Sequence, residues 1–250
     1  MKKVPSSEGY PVLKEEFCLK IEILHLTEGA AQAKGIAVII DVFRAYTVEN
    51  WAFERGVKRI YPVPEVEKAL ALKAEHPDWL LAGERHSKKL PGFDFGNSPY
   101  EVSLHDLRGK TLVHCTSAGT QGIAAAVQAE DILVGALVNA RATAAYIASR
   151  QPAQVSLVCM GKENVHPTPE DTYCAEYMRS LLLGEEFDQM SAVKVLREGE
   201  GARFFVTENA SFSPPEDFFL CTDFDRFDHV LKVQYDETGL AYVEPMRFTT

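Results

Sequence analysis

Residues 36–44 read Ile36-Ala-Val-Ile-Ile-Asp41-Val-Phe-Arg44, and this stretch decides how the chain should fold. Its first five residues are all apolar and do not alternate with polar ones, which is typical of a strand buried on both faces of a parallel sheet. The apolar run ends at Asp41, and Arg44 follows three residues later. Because ligands of open α/β sheets bind beyond the carboxyl ends of the strands, the stretch predicts a central strand with a polar site at its end.

Strand-like and helix-like segments alternate along the rest of the chain. The predicted strands cover residues 17–24, 36–42, 59–63, 79–82, 111–115, 131–134 and 155–160. The predicted helices cover residues 48–55, 65–75, 120–128, 140–149, 169–183 and 191–197. This order predicts an α/β fold with largely parallel sheets and helices on both faces. A C-terminal hairpin should follow, with strands at residues 230–235 and 240–244 joined by a polar turn.

Composition sets the domain organisation and excludes some classes of partner. Residues 1–16 are rich in Pro, Ser and Glu and are expected to form a loose leader. Residues 17–250 should form one α/β unit, with a boundary between two lobes near residues 100–110 as an alternative.

The formal net charge of −10 argues against a general binder of nucleic acid or membrane surfaces. No apolar run is long enough to cross a bilayer.

The number and spacing of the cysteines indicate the cellular compartment of the protein. The chain has five cysteines, widely spaced and without a Cys-x-x-Cys motif. An odd number in this arrangement favours reduced thiols in a cytoplasmic protein over a disulfide framework or a zinc site. The sequence does not fix the oligomeric state, and it allows a homo-oligomer.

Polar residues gather directly after several predicted strands. Their shared position predicts one site, because the carboxyl ends of parallel strands meet at the same edge of a sheet. These residues are Asp41 and Arg44, Glu84 and Arg85, Thr116–Thr120, Asn139, and Glu170 and Asp171.

Two segments carry the clearest binding chemistry. In the stretch of residues 80–100 an apolar run stops at Gly83 and a long polar loop follows, which contains Asp94, Asn97 and Ser98 and whose glycines, prolines and phenylalanines favour an ordered structure. Thr116–Thr120 is rich in hydroxyl groups and opens a predicted helix, so its N–H groups and the helix dipole could hold an oxyanion. An ordinary helix cap is the alternative for this turn.

Carboxylates at these positions suit a hard cation such as Mg²⁺, which takes one or two of them together with water and substrate phosphate. The alternative for Asp41 is a turn at the end of a strand. The alternative for Glu170 and Asp171 is their general preference for the first turn of a helix. The candidates are Asp41, Glu84, Asp94, Glu170 and Asp171.

Together these motifs resemble the 2-phosphosulfolactate phosphatase family of Mg²⁺-dependent acid phosphatases. The resemblance covers roughly residues 20 to 230, in the order of the family's motifs. It rests on Asp41-Val-Phe-Arg44-Ala, Gly83-Glu84-Arg85, Gly92-Phe-Asp94-Phe-Gly96-Asn97-Ser98-Pro99, Thr116–Thr120, residues 135–140 and Glu170-Asp171-Thr172-Tyr-Cys174-Ala175. It implies hydrolysis of the phosphate ester of a small sulfonated lactate to 3-sulfolactate and phosphate, a step that serves coenzyme M synthesis in the family.

The resemblance also implies a role for each site residue, with Mg²⁺ as the cofactor and a small anionic phosphorylated substrate. The catalytic residues would be Asp41, Arg44, Glu84, Arg85 and Asp94. The Mg²⁺ ligands would be Asp41, Glu84 and Asp171. The substrate-binding residues would be Asn97, Ser98, Thr116, Ser117, Gly119, Thr120 and Asn139.

Three positions depart from the pattern of the family. Ala118 stands where an Asn is usual, Tyr46-Thr47 where a pair of hydroxyl residues is usual, and Ser87 where Gly is common. These departures leave two alternatives open. One is a phosphatase for another small phosphorylated acid, and the other is a non-catalytic anion-binding relative.

Overall fold

One ten-stranded sheet organises the part of the chain that the computed structural model describes, residues 19–247. The strands are β1 (Lys20–His25), β2 (Ile36–Ile40), β3 (Arg59–Pro62), β4 (Leu80–Arg85), β5 (Lys88–Lys89), β6 (Thr111–Cys115), β7 (Asp131–Gly135), β8 (Gln154–Cys159), β9 (Val230–Tyr235) and β10 (Ala241–Met246). The predicted leader, residues 1–16, lies outside the described residues.

Nine α-helices accompany this sheet within residues 19–247. They are α1 (Leu26–Ala30), α2 (Ala45–Glu54), α3 (Val66–Glu75), α4 (Pro99–Ser103), α5 (Gly119–Ala125), α6 (Ala140–Arg150), α7 (Pro169–Leu183), α8 (Gln189–Glu198) and α9 (Pro215–Cys221). None of these helices has the length and apolar character needed to cross a membrane.

The strand order is β1-β8-β2-β7-β9-β10-β3-β6-β4-β5. Two parallel groups, β1-β8-β2-β7 and β3-β6-β4, flank the C-terminal hairpin β9-β10. The hairpin runs antiparallel to β7 on one side and to β3 on the other, so it joins the two groups into a single sheet. The predicted α/β class, with largely parallel strands and a C-terminal hairpin, is confirmed.

Strand β2 lies between β8 and β7, and all five of its side chains are buried. Its unbroken apolar run therefore matches its central position, as the sequence predicted. Because β2, β8 and β7 are parallel, their carboxyl ends meet at one edge. The segments that follow β2 and β8 begin there, at Asp41 and Met160.

Several predicted boundaries differ from the structure, and two of these differences have a clear local reason. Helix α2 begins at Ala45, three residues before the predicted start, because the carboxylate of Asp41 accepts the backbone N–H of Ala45. Strand β4 continues to Arg85 because its last two residues pair with β5. Part of the predicted polar loop is therefore a tight hairpin that carries Glu84.

Candidate active site

A cleft lies beyond the carboxyl ends of β2, β4, β6 and β8, with about 480 Å³ of empty space including its open mouth. Six of the candidate residues from the sequence line it together, namely Asp41, Arg44, Glu84, Asn97, Ser117 and Glu170. The other lining residues were not candidates, although several lie inside the predicted motifs, namely Phe43, Ser87, Ala118, Gly161, Lys162, Glu163 and Arg203.

Asp41 holds two helix N-termini at the floor of this cleft. Its Oδ1 accepts the N–H of Ala45 at 3.1 Å, and its Oδ2 accepts the N–H of Gly119 at 3.1 Å. Burial raises the pKa of Asp41 to about 6, and the charge of Glu84 adds to that rise. The side chain therefore fixes the starts of α2 and α5 and brings a poorly solvated carboxylate to the site.

Asp171 lies behind Asp41 and does not line the cleft. Its Oδ1 accepts the N–H of Val42 at 2.8 Å, and its Oδ2 accepts the N–H of Gly161 at 2.7 Å. Burial, followed by the charges of Asp41 and Glu170, raises the pKa of Asp171 well above its usual value. Asp171 thus joins the segments that follow β2 and β8, and both of its oxygens are engaged by the backbone.

Glu84 organises the opposite wall. Its Oε2 accepts the N–H of Ser87 at 2.8 Å, and its Oε1 accepts the N–H of Ser117 at 2.9 Å. Ser87 has a left-handed backbone with φ of 65°, a conformation that glycine adopts without steric cost. This explains why Gly is common at this position in the family that the sequence resembles.

We expect Ser87→Gly to raise the free energy of unfolding by up to about 1 kcal/mol, because it relieves a left-handed non-glycine residue. Ser87→Val should lower it by about 1–2 kcal/mol, because a β-branched side chain tolerates this φ poorly. Urea unfolding of the three proteins would measure both changes. Equal stability of the Gly and Val variants would contradict the assigned backbone conformation.

Glu170 lines the cleft and carries a buried oxygen without a hydrogen-bond partner in the described residues. The side chain is only 4% exposed, and its Oε2 accepts no hydrogen bond from any part of residues 19–247. Burial raises the pKa of Glu170 to about 7, although the charge of Arg203 opposes that rise. A buried acceptor without a donor is costly unless a ligand, water or cation reaches it.

Arg203 is a site residue that the sequence did not reveal. It belongs to a 3₁₀ helix, Glu200–Phe205, and donates from Nη2 to the carbonyl of Phe43 at 3.2 Å. Its Nε is buried and has no partner within residues 19–247. A single Arg in a short irregular segment gives no motif, so no pattern could have identified it.

Arg44 is buried and anchored at both ends of its guanidinium group. Its Nη1 donates to Asp217 at 2.6 Å and to the carbonyl of Phe212 at 2.7 Å, and its Nη2 donates to the carbonyl of Ser87 at 3.3 Å. Asp217 also accepts the hydroxyl of Ser98 at 2.7 Å. Arg44 and Ser98 therefore belong to one buried network that joins the cleft to α9.

Three other predicted residues are engaged away from the cleft lining. Arg85 donates to the carbonyl of Pro64 at 2.7 Å. Asp94 accepts the N–H of Leu81 at 2.8 Å and lies 3.6 Å from the ammonium of Lys73. Asn139 accepts the N–H of Ala136 at 3.0 Å through its Oδ1.

The predicted turn before α5 is present, but only some of its side chains line the cleft. Ser117 and Ala118 line the cleft, whereas the hydroxyl of Thr120 donates to the carbonyl of Thr116 at 3.1 Å. Tyr46 does not line the cleft, and its hydroxyl donates to the carbonyl of Gly119 at 2.7 Å. Both residues depart from the pattern of the family. Ala118 changes the lining of the cleft, whereas Tyr46 supports the turn from outside the cleft.

The donor set of the cleft is made of carboxylate oxygens, which suits a hard cation. The free Oε2 of Glu170 and the raised pKa values of Asp41 and Glu170 indicate buried negative charge that lacks compensation. Within residues 19–247, however, three or more His, Cys, Asp or Glu side chains nowhere converge closely enough to enclose a metal ion. The site therefore fits a cation held by few side chains, as is usual for Mg²⁺.

Comparison with known proteins identifies the family. The family model described as 2-phosphosulpholactate phosphatase matches residues 21–234. Three similar proteins are each named "Probable 2-phosphosulfolactate phosphatase". The one from Bacillus subtilis is 30% identical over 208 residues, which cover 80% of this chain and 88% of the relative. The one from Carboxydothermus hydrogenoformans is 36% identical over 174 residues, which cover 69% and 71%.

The third relative, from Caldanaerobacter subterraneus subsp. tengcongensis, is 40% identical over 128 residues. That match covers 50% of this chain and 53% of the relative, so it spans about half the length of each protein. The family model nevertheless covers most of the chain, including every strand from β2 to β8. The chain therefore belongs to the 2-phosphosulfolactate phosphatase family, a family of phosphoric monoester hydrolases, as its motifs predicted.

Proposed function

We propose that the cleft hydrolyses 2-phospho-3-sulfolactate to 3-sulfolactate and phosphate with Mg²⁺ as cofactor, and that the product serves coenzyme M synthesis. Family membership supports the reaction type and the substrate. The structural observation that carries the proposal is the convergence of buried carboxylates with guanidinium groups on one cleft, represented by Asp41, Glu84, Glu170, Arg44 and Arg203.

The charge of the cleft supports a divalent cation. Four carboxylates line it, from Asp41, Glu84, Glu163 and Glu170, against the three basic side chains of Arg44, Lys162 and Arg203. The charge of Arg44 is already paired with Asp217 at 2.6 Å. The proposed substrate carries a phosphate, a sulfonate and a carboxylate, so the cleft without a cation would repel it. A bound divalent ion would neutralise the two negative charges that are left in excess.

One or two of the lining carboxylates of Asp41, Glu84 and Glu170 would hold Mg²⁺ together with water and substrate oxygens, and Asp171 would keep Asp41 and its loop in place. When bound, the ion would polarise a phosphoryl oxygen or lower the pKa of a water molecule. The free Nε of Arg203 would donate to an anionic oxygen of the substrate, and Lys162 at the mouth would attract it. Asn97 and Ser117 would add neutral hydrogen bonds.

Thiol chemistry supports a cytoplasmic location. Cys115, Cys159, Cys174 and Cys221 are all free and buried in the described part of the chain. Reduced thiols persist in the cytoplasm, where disulfides are rare. Burial also raises the pKa of Cys115, which favours a role in packing over one as a nucleophile.

Ala118 favours a second candidate function, a phosphatase for another small phosphorylated acid. Ala118 lines the cleft at the N-terminus of α5, where the family usually has an Asn. Alanine provides no amide for hydrogen bonding to the distal group of the substrate. A substrate without the sulfonate group would therefore lose less binding energy here than in a relative that has the Asn.

Phosphate release from a panel of esters would test the proposal. The protein, first stripped with EDTA, should release phosphate only after Mg²⁺ is added. It should act on 2-phospho-3-sulfolactate at least about tenfold more efficiently than on 2-phospholactate or 2-phosphoglycerate. These two esters lack the sulfonate, and the loss of an ionic contact lowers catalytic efficiency by about that factor. Comparable turnover of the non-sulfonated esters would favour the second candidate. Tight binding of 3-sulfolactate without any hydrolysis would indicate a binding protein.

A further inference from the structure

A buried chain of three polar side chains leads from the protein core to the cleft. Glu49 on α2 and His114 on β6 are both fully buried, and Oε1 of Glu49 lies 2.9 Å from Nδ1 of His114. On the other side of the ring, Nε2 of His114 lies 3.3 Å from Oδ1 of Asn97. Asn97 is 7% exposed and lines the cleft. The chain therefore ends at the site, although Glu49 and His114 do not reach it.

We propose that Glu49 and His114 act as a positioning pair, which turns the amide of Asn97 so that its NH₂ group faces the cleft and donates to an anionic oxygen of the substrate. This inference rests on the proposed function, because it assumes that the cleft binds a phosphorylated acid.

The direction of the Asn97 amide follows from what each ring nitrogen meets. Nδ1 of His114 lies 2.9 Å from Oε1 of Glu49, so one proton lies between these two atoms. If Nε2 also carries a proton, it donates to Oδ1 of Asn97 and the NH₂ group is left for the cleft. If Nε2 lacks a proton, the amide turns over and presents its oxygen to the substrate, which an anion would not tolerate.

The geometry favours a proton on Nε2. Oδ1 of Asn97 is the hydrogen-bond partner of Nε2, and an amide oxygen only accepts hydrogen bonds. Oε2 of Glu49 is buried without a partner within residues 19–247, so a proton between Oε1 of Glu49 and Nδ1 of His114 would lower the cost of burying the carboxyl group.

The proton on Nε2 of His114 can be detected in the intact protein, independently of turnover. Side-chain ¹⁵N NMR of histidine-labelled protein at pH 7 should show that Nε2 of His114 carries a proton. The spectrum of His114→Gln would assign that signal. An Nε2 without a proton at pH 7 would overturn the proposal, whether or not the protein is a phosphatase.

Two substitutions at His114 separate positioning from a structural role. An Asn side chain can mimic Nδ1 and reach Glu49, whereas a Gln side chain can mimic Nε2 and still donate to Asn97. Both remove the ring and should destabilise the protein to a similar extent. His114→Asn should weaken binding of inorganic phosphate, and raise KM, by about 10- to 100-fold. His114→Gln should restore at least threefold of that loss.

The protein contains a matched control pair. Nε2 of His229 lies 3.0 Å from Oδ1 of Asn50, a second buried contact between a histidine and an asparagine that is not part of the cleft lining. His229→Asn should destabilise the protein without changing phosphate affinity. Equal losses of phosphate affinity in His114→Asn and His114→Gln would show that His114 is only structural.

A substitution at Asn97 itself keeps the test decisive if the His114 variants fail to fold. Asn97→Asp retains an acceptor for Nε2 of His114 but replaces the NH₂ group with an oxygen. Calorimetric titration in the presence of Mg²⁺ should show at least tenfold weaker binding of inorganic phosphate than in the wild type. Unchanged affinity would overturn the proposal. Absence of ester hydrolysis in a wild type that still binds phosphate would count against the proposed function alone.

Discussion

Glu170→Gln is expected to make the cation-free protein more stable at pH 8 and to lower its phosphatase activity at least 100-fold. The substitution keeps the shape of the side chain and removes its charge. Because Oε2 of Glu170 accepts no hydrogen bond within residues 19–247, an amide group at this atom breaks no hydrogen bond. Without the charge the cleft should hold Mg²⁺ weakly, and a metal ion supplies several kcal/mol of transition-state stabilisation.

The gain in stability follows from the pKa of Glu170. Burial raises it from 4.5 to about 7, so the folded state binds a proton more tightly than the unfolded chain does. The stability that this group contributes is complete below about pH 4.5 and is lost as the pH rises through about 7. At pH 8 the ionised side chain costs stability, and its neutral replacement should recover roughly 1–3 kcal/mol.

Thermal unfolding in EDTA at pH 5 and pH 8 would test this prediction, together with phosphate release at one fixed Mg²⁺ concentration. The difference in Tm between Glu170→Gln and wild type should be larger at pH 8. Added Mg²⁺ should stabilise the wild type more than the variant, because a ligand stabilises the state that binds it. Glu176→Gln, on an exposed face of the same helix, is the matched control. If the variant is less stable than wild type at pH 8, the ionised side chain of Glu170 does not destabilise the folded protein and the prediction is wrong.

The second large effect is expected at the buried ion pair of Arg44 and Asp217. The two side chains are 2% and 0% exposed, and Nη1 of Arg44 lies 2.6 Å from Oδ2 of Asp217. Arg44→Met should lower the free energy of unfolding by about 3–5 kcal/mol, because it leaves Asp217 as an unpaired buried charge. Asp217→Asn in the same chain should restore part of this loss, since the remaining charge is removed.

A double-mutant cycle would measure the coupling between the two residues by denaturant unfolding. Lys20 and Glu22 provide an exposed pair at 2.9 Å, with side chains 60% and 37% exposed, and their coupling should stay below about 1 kcal/mol. Activity distinguishes the two roles of Arg44. The Arg44→Met/Asp217→Asn protein should regain stability but not turnover, because the guanidinium group also lines the cleft and holds the carbonyl of Ser87. Full recovery of turnover would show that Arg44 serves folding alone.

Local sequence determined the central strand and the family. The apolar run of β2 can be satisfied only by burial on both faces, and Asp41 at its end marks where the backbone leaves the sheet. The bounds of β6 and α7 match the predictions residue for residue, because each has a clear local pattern and a clear end. The strand-end rule brought Asp41, Glu84 and Ser117 to one cleft because it depends on topology and not on detailed packing.

Tertiary packing alone decided what each polar group does. The hairpin β9-β10 enters the middle of the sheet, since its partners β7 and β3 come from distant parts of the chain. Asp171 binds two backbone N–H groups, His114 bridges Glu49 and Asn97, and Arg203 arrives from an irregular segment. Hydrogen-bond partners on different elements, such as Val42 and Asp171 at a separation of 129 residues, leave no periodic trace in a sequence. The sequence therefore revealed most of the residues that form the site. Which of them face the cleft, and which support the surrounding backbone, depended on their neighbours in three dimensions.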